Sequence, residues 1–180
     1  DPIPGYTECN TATHYRNALG LTIRGDLLCI WPTRPVDVEA CVSLFDDEAT
    51  TTTRGVRARY ELWNLMLDRL ARSQHRVAML SVIWDATGIT LHHRPMFTIY
   101  KTTLAIELQW RPYLISGSIH IVGLGQVGRV LFRGLRIFLS EESKTLTVLL
   151  AGSASSPSSR AILTAKFSPN ILPPELGGTN

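Results

Sequence analysis

Val56, Tyr60, Trp63, Leu67 and Leu70 follow one another at spacings of four, three, four and three. That period lays the five side chains along one stripe of an α-helix, with Arg57, Glu61, Asn64, Asp68 and Arg72 on the opposite face. The pattern predicts a helix over about residues 53–73, capped by a threonine near Thr53. Arg57–Glu61 and Asp68–Arg72 are pairs four apart, each adding only tenths of a kcal/mol. A helix that is apolar on one side must lie on something flat.

The segments that follow supply a sheet. RVAMLSVIW is apolar on both faces, DATG is turn-like, and ITLHH reads as a returning strand that Pro95 ends. In LAIELQW, Leu104, Ile106, Leu108 and Trp110 alternate with Ala105, Glu107 and Gln109, and MFTIYK and TLTVLLA are further strand candidates. Strands joined by short turns point to the α+β class, an antiparallel sheet with one long amphipathic helix on one face. Trp31, Trp63, Trp84 and Trp110 are expected in or at the edge of the core. Upstream, TATHYRNALG suits a second, short helix, and LTIRGDLLCIW a strand interrupted by Gly25 and Asp26. VDVEACVSLF fits a strand or a helix equally. The 180 residues, 44% apolar and 18% charged, suit one domain over 1–168, with 169–180 an extended or disordered tail.

Charge is unevenly spread. Residues 1–50 hold three arginines against eight acids, and residues 51–180 hold fifteen basic residues against seven acids. An acidic, cysteine-containing amino-terminal segment therefore precedes a basic remainder. The overall formal charge of +3 is too small to argue for nucleic acid on its own. Cys9, Cys29 and Cys41 allow one disulfide with one thiol left over, or three thiols. No histidine stands at ligand spacing from them, so no metal is expected. The start DPIPGYTEC, without an initiator methionine, together with the early Cys9 leads to the expectation of a secreted protein, the alternative being a cytoplasmic one. No apolar run reaches the length of a membrane-spanning helix.

SIHIVGLGQVGRVLFRGL, residues 118–135, holds Gly123, Gly125 and Gly128 in the order G-x-G-x-x-G after a short apolar run. The stretch resembles the opening of a dinucleotide-binding fold. There the first glycine permits a tight turn, the second lets a pyrophosphate approach the backbone, and the third lets helix and strand pack closely. The resemblance implies NAD(P) on the helix amino terminus, with the serines of GSASSPSSR and Arg160 near a ribose phosphate. Downstream, Val127, Leu131, Leu135 and Phe138 make one helical stripe and Arg129, Arg133 and Arg136 a basic patch on another. Against the resemblance stand Phe132 where a small residue is usual, Gly134 inside the helix, and hairpin-like segments upstream instead of βαβ units. The competing expectation is a turn or bulge at Gly123 and Gly125, with RVLFRGLRIFL a strand paired to TLTVLLA.

A further candidate set is His92, His93, Arg94, Asp85 and Glu107. One histidine, an arginine and a carboxylate on a sheet face would suit ribonuclease-like phosphodiester cleavage, with proton transfer by the histidine or carboxylate and the phosphate held by arginine. On a strand His92 and His93 point to opposite sides, so only one could serve. No G-x-S-x-G supports a serine nucleophile. With no convincing catalytic set and no cofactor expected, the leading functional expectation is a small, secreted, non-enzymatic interaction protein of the effector or virulence type, binding a macromolecular partner. The ribonuclease-like hydrolase and the NAD(P)-binding domain are the alternatives.

Overall fold

The structure is a computed structural model of the chain. It describes residues 20–32, 38–39, 51–95, 117–137, 139, 141, 144, 147–150, 152–153 and 155–179, with the backbone alone for 20, 31–32 and 51–62. Five strands lie side by side in chain order: β1 (Gly20–Leu21), β2 (Leu27–Pro32), β3 (Leu80–Asp85), β4 (Ile119–Val122) and β5 (Thr147–Leu149). Helix α1 (Thr51–Gln74) joins β2 to β3, α2 (Gln126–Arg136) joins β4 to β5, and α3 (Pro157–Lys166) follows β5. Only the two-residue β1 is antiparallel to its neighbour; β2, β3, β4 and β5 all run parallel.

The expected antiparallel α+β sheet is therefore overturned: the fold is of the α/β type. The physical reason is visible in β3, where Leu80 through Trp84 are all buried. A strand covered on both faces reads as a continuous apolar run, as parallel strands between helical layers do. DATG does not return the chain as a hairpin, because Asp85 closes β3 and its Oδ1 accepts the Thr87 N–H at 3.0 Å. ITLHH is no strand either. Leu91–His93 form a single 3-10 turn with Leu91 exposed. The alternating segment 104–110 and the segment 96–101 lie outside the described residues, as does the short helix expected over 11–20 apart from Gly20.

Alternation along the strands splits the core into two layers. On one side Leu27, Cys29, Leu80 and Val82 pack beneath Trp63 and Leu67 of α1. On the same side Trp84 and Ile121 pack beneath Phe132 and Leu135 of α2. On the other side Leu28, Ile30, Ile83 and Val122 lie against Leu163 of α3 and against Phe167, Leu172 and Leu176, which follow it. Two parallel crossovers on one face are what a common, right-handed connection requires of strands laid down in sequence.

A polar clamp sets where the first strands start. Asp26, 8% exposed, accepts from Arg76 Nη1 at 2.9 Å and from the Met79 N–H at 3.3 Å. Arg76 also donates to the Arg24 carbonyl, and Gln74 Nε2 donates to the Gly25 carbonyl at 2.9 Å. The turn at Gly25 (φ +81°) is thereby tied to the end of α1 and the start of β3. Asp26→Ala should cost about 2 kcal/mol, because it strips a part-buried N–H and a guanidinium of the acceptor that the nearly buried Asp26 carboxylate provides. Urea unfolding followed by tryptophan fluorescence measures this. Arg76→Ala, whose side chain is 38% exposed, should cost less.

The disulfide expectation is also corrected. Among the described residues there is no disulfide, and Cys29 is a thiol buried in β2 under α1. Cys9 and Cys41 lie outside the described residues. No described helix is long and apolar enough to cross a membrane.

Candidate functional site

The site lies where β4 ends. Gly123 follows Val122 with φ +72°, a conformation in which side chains are strained, and the backbone there presses against the loop after β3. A Cβ on Gly123 would stand 2.0 Å from Thr87 Oγ1 and 2.9 Å from Thr87 N. Leu124 then drops into the core beneath α2. Gly125 is the amino-terminal cap residue of α2, extended (φ −69°, ψ −177°) and exposed, and nothing lies within 4 Å of where its Cβ would be. Gly128, one turn on, is buried, and its Cβ would meet Leu124 Cδ1 at 2.9 Å and Ile89 Cγ2 at 3.6 Å.

Each glycine thus has its own physical reason. The first makes a left-handed turn in a crowded place, the second leaves backbone open to solvent, and the third lets α2 sit close to the β3 loop. The expectation of a turn or bulge leading into a strand is overturned, since residues 126–136 are helical and β5 pairs with β4 in parallel. Phe132 does not obstruct the packing. It points into the core with Trp84 and Ile121, and the buried line on α2 is Gly128, Phe132 and Leu135; of the predicted stripe, Leu135 is buried, Leu131 packs partly buried against the same cluster and Val127 is exposed. Phe138 lies outside the described residues.

The first intrahelical bond, Arg129 N–H to the Gly125 carbonyl at 2.9 Å, leaves the N–H groups ahead of it pointing out of the helix. Gly125 has no side chain to cap them, and the first turn of α2 contains no acid. The positive end of the helix is therefore available to an anion. Arg129 is exposed, with its Nε 3.4 Å from the Leu124 carbonyl, and Arg133 and Arg136 continue along the helix, also exposed.

Topology adds a second wall. The chain leaves β4 towards the α1/α2 face, whereas it leaves β5 through Gly152 (φ +90°) towards α3 on the other face. Adjacent parallel strands whose continuations diverge leave a crevice outside their carboxyl ends, the place where α/β sheets bind ligands. The Leu150 N–H bonded to the Ile121 carbonyl at 2.9 Å holds the two strand ends together. The loop that follows β5 carries Gly152, Ser153, Ser155 and Ser156. Ser156 caps α3 by accepting the Ser159 N–H at 3.3 Å, and the hydroxyls of Ser153 and Ser155 are 3.0 Å apart. Arg160 projects from α3, packed on Gly177, with Nη2 3.4 Å from the Pro174 carbonyl.

The hydrolase candidates fall elsewhere. His92 and His93 share the 3-10 turn, their rings edge to face with centroids 5.9 Å apart, so the opposed arrangement expected of a strand does not arise. His93 Nδ1 accepts the Thr90 N–H at 3.2 Å, and burial first, with the neighbouring His92 second, lowers its pKa. Arg94 is exposed. Asp85 bonds to the Thr87 N–H rather than to a histidine, and Glu107 lies outside the described residues. Among the described residues no three His, Cys, Asp or Glu side chains gather as a metal set.

Two features of this region escaped the sequence reading. Thr87, whose Oγ1 is buried without a hydrogen-bond partner, forms the surface on which Gly123 rests. His120 in β4 is completely buried on the α3 side of the sheet. Thr87 carries no pattern a sequence could show. His120 could have been noticed as the one ionisable residue inside the apolar run Ile119–Val122. No family model and no curated protein matches the chain, so the reading of the site rests on its geometry.

Proposed function

We propose that the protein binds a dinucleotide of the NAD(P) class, with its pyrophosphate on the Gly123–Gly128 loop and the amino terminus of α2. The observation that carries this reading is Gly125. It is an exposed cap residue with open space where a side chain would stand, placed between a parallel strand and a helix that returns to a second parallel strand. That is the context in which G-x-G-x-x-G has mechanical meaning. The loop after β5 holds serines and no acid, and α3 supplies Arg160. A phosphorylated ribose suits such a wall better than a ribose diol, which carboxylates recognise. A nicotinamide dinucleotide brings hydride chemistry when bound; the residues described here hold and orient its phosphates.

The expectation of a secreted, effector- or virulence-type protein finds no support in the fold, and among the described residues there is no disulfide. The hydrolase reading offered Asp85 or Glu107 as its carboxylate; Asp85 accepts the Thr87 N–H, and Glu107 lies outside the described residues.

The test is thermal unfolding with and without millimolar NADP, NAD and ATP, followed through the tryptophans. Ligand at a hundredfold excess over its dissociation constant stabilises the native state by about 2.7 kcal/mol. NADP should raise the midpoint most. Gly125→Ala should unfold at the wild-type temperature without ligand, since its Cβ meets nothing and its φ of −69° suits alanine. With ligand it should lose most of the shift, because the added methyl holds the pyrophosphate off the backbone. No shift in the wild type with any of the three nucleotides overturns the reading.

A further inference from the structure

His120 sits in the middle of β4, between Ile83 of β3 and Val148 of β5 at the same register, and it is 0% exposed. Neither Nδ1 nor Nε2 has a hydrogen-bond partner. Its ring meets Phe167 edge to face, with centroids 5.3 Å apart. Phe167, itself 1% exposed, ends α3, pairs across an isolated bridge with Thr22, and begins the segment that buries Leu172 and Leu176. The imidazole is thus covered by the layer made of α3 and the residues after it.

A neutral imidazole already leaves its N–H unsatisfied there, and a charged one would be far more costly. The groups facing it offer no relief. Ile83 and Val148 are apolar, Phe167 presents a ring edge, and the Ser81 hydroxyl on the same face accepts the Ser118 N–H at 3.5 Å and makes no bond to the imidazole. The charge that acts on it is Lys166 at the end of α3, a cation, and among the described residues no carboxylate offsets it. Among the described residues His120 is the one buried histidine, and the buried side chains of the α1/α2 layer are apolar.

We propose that His120 is an acid-sensitive latch on the carboxy-terminal layer: protonation of its imidazole releases α3 and the Phe167–Leu176 segment from the sheet while the α1/α2 side stays packed. Release exposes the ring to water and separates it from Lys166, and β2, β3 and β4 keep their other layer.

The sign follows from linkage. Burial first, and Lys166 second, lower the pKa from 6.5 to about 4, so the released state binds the proton more readily than the closed one. The latch holds fully above pH 6.5 and weakens progressively as the pH falls towards about 4. Each unit between those values is a factor of ten in the closing equilibrium, so the change amounts to about two orders of magnitude.

Amide hydrogen exchange by mass spectrometry, corrected for the intrinsic pH dependence of exchange and run without nucleotide, reads the latch directly. Protection over 157–176 should fall about a hundredfold from pH 7 to pH 4, while peptides over Leu80–Asp85 keep theirs. His120→Leu should flatten that profile. Lys166→Gln, at an exposed position, should move the midpoint to higher pH by removing the repulsion. The proposal is overturned if His120→Leu loses protection along the wild-type profile, or if protection falls equally in β3. Should His120→Leu not fold, an unmoved midpoint in Lys166→Gln overturns it. Nucleotide binding plays no part in these outcomes, so the latch and the binding site stand or fall separately.

Discussion

Gly123→Ala should destabilise the protein by about 3 kcal/mol or more, whereas Gly125→Ala, two residues away, should be nearly neutral in the absence of ligand. Two costs add at Gly123. A side chain at φ +72° is strained by about 1–2 kcal/mol. The new methyl would also stand 2.0 Å from Thr87 Oγ1, 2.9 Å from Thr87 N and 3.0 Å from Thr87 Cα. The hydroxyl can rotate away, but the backbone atoms cannot, and forcing a methyl into packed backbone costs a further 1–3 kcal/mol or thereabouts. Urea unfolding of the two variants side by side tests the difference. Thr87→Ala separates the contributions. Alone it should be close to neutral, because the hydroxyl it removes is buried without a partner. Combined with Gly123→Ala it should recover only the part of the loss due to the hydroxyl, a coupling that a double-mutant cycle measures. Equal stability of the two glycine variants would mean that the β4 loop does not rest on Thr87.

How far the fold could be read from sequence depends on which kind of signal each element carries. The helix expected over about 53–73 is Thr51–Gln74, because a stripe repeated through five apolar residues leaves no other period. LSVIWD was legible as a strand apolar on both faces, and that property alone favours a parallel sheet between two helical layers. The turn residues after it, DATG, point instead to a hairpin. Turn chemistry at Asp85 and Gly88 (φ +85°) shows that a strand ends, not in which direction the chain returns. Direction is set by pairings between segments far apart in sequence, such as Ile83 with His120, and no local pattern encodes them.

The site shows the same division. The spacing of Gly123, Gly125 and Gly128 was legible, but its meaning hung on context. Phe132 and Gly134 weighed against a cradle because close packing was sought one turn too late along α2. The tight approach is at Gly128 against Leu124 and Ile89, and Phe132 fills the core beyond it. Gly134 lies on the exposed side of the helix with nothing within 4 Å of its Cβ position, so it costs propensity but no packing. The loop after β5, with Gly152, Ser153, Ser155 and Ser156, joins the candidate site only through the divergence of α2 and α3 to opposite faces, a tertiary fact.

Trp63→Ala should lower stability by about 3–5 kcal/mol, the range for deleting a buried large aromatic side chain, and still leave the proposed binding site intact. Trp63 is 1% exposed and packs with Leu27, Cys29, Leu80 and Val82, the amino-terminal half of the sheet. The cradle belongs to the other half, where Trp84, Ile121, Phe132 and Leu135 form a separate cluster. Leu65→Ala, on the same helix but 59% exposed, should change stability by less than about 0.5 kcal/mol, which separates loss of the stripe from loss of helix propensity. A loss of this size is a large part of the 5–15 kcal/mol typical of a domain, so binding should be measured well below the lowered midpoint. At such a temperature the Trp63→Ala protein should bind NADP with wild-type affinity, and Gly125→Ala should show the reverse, full stability with weakened binding. If Trp63→Ala weakens binding while still folded, β3 couples the two halves: it is shared by both clusters, and Thr87, at its end, would carry the disturbance into the loop at Gly123.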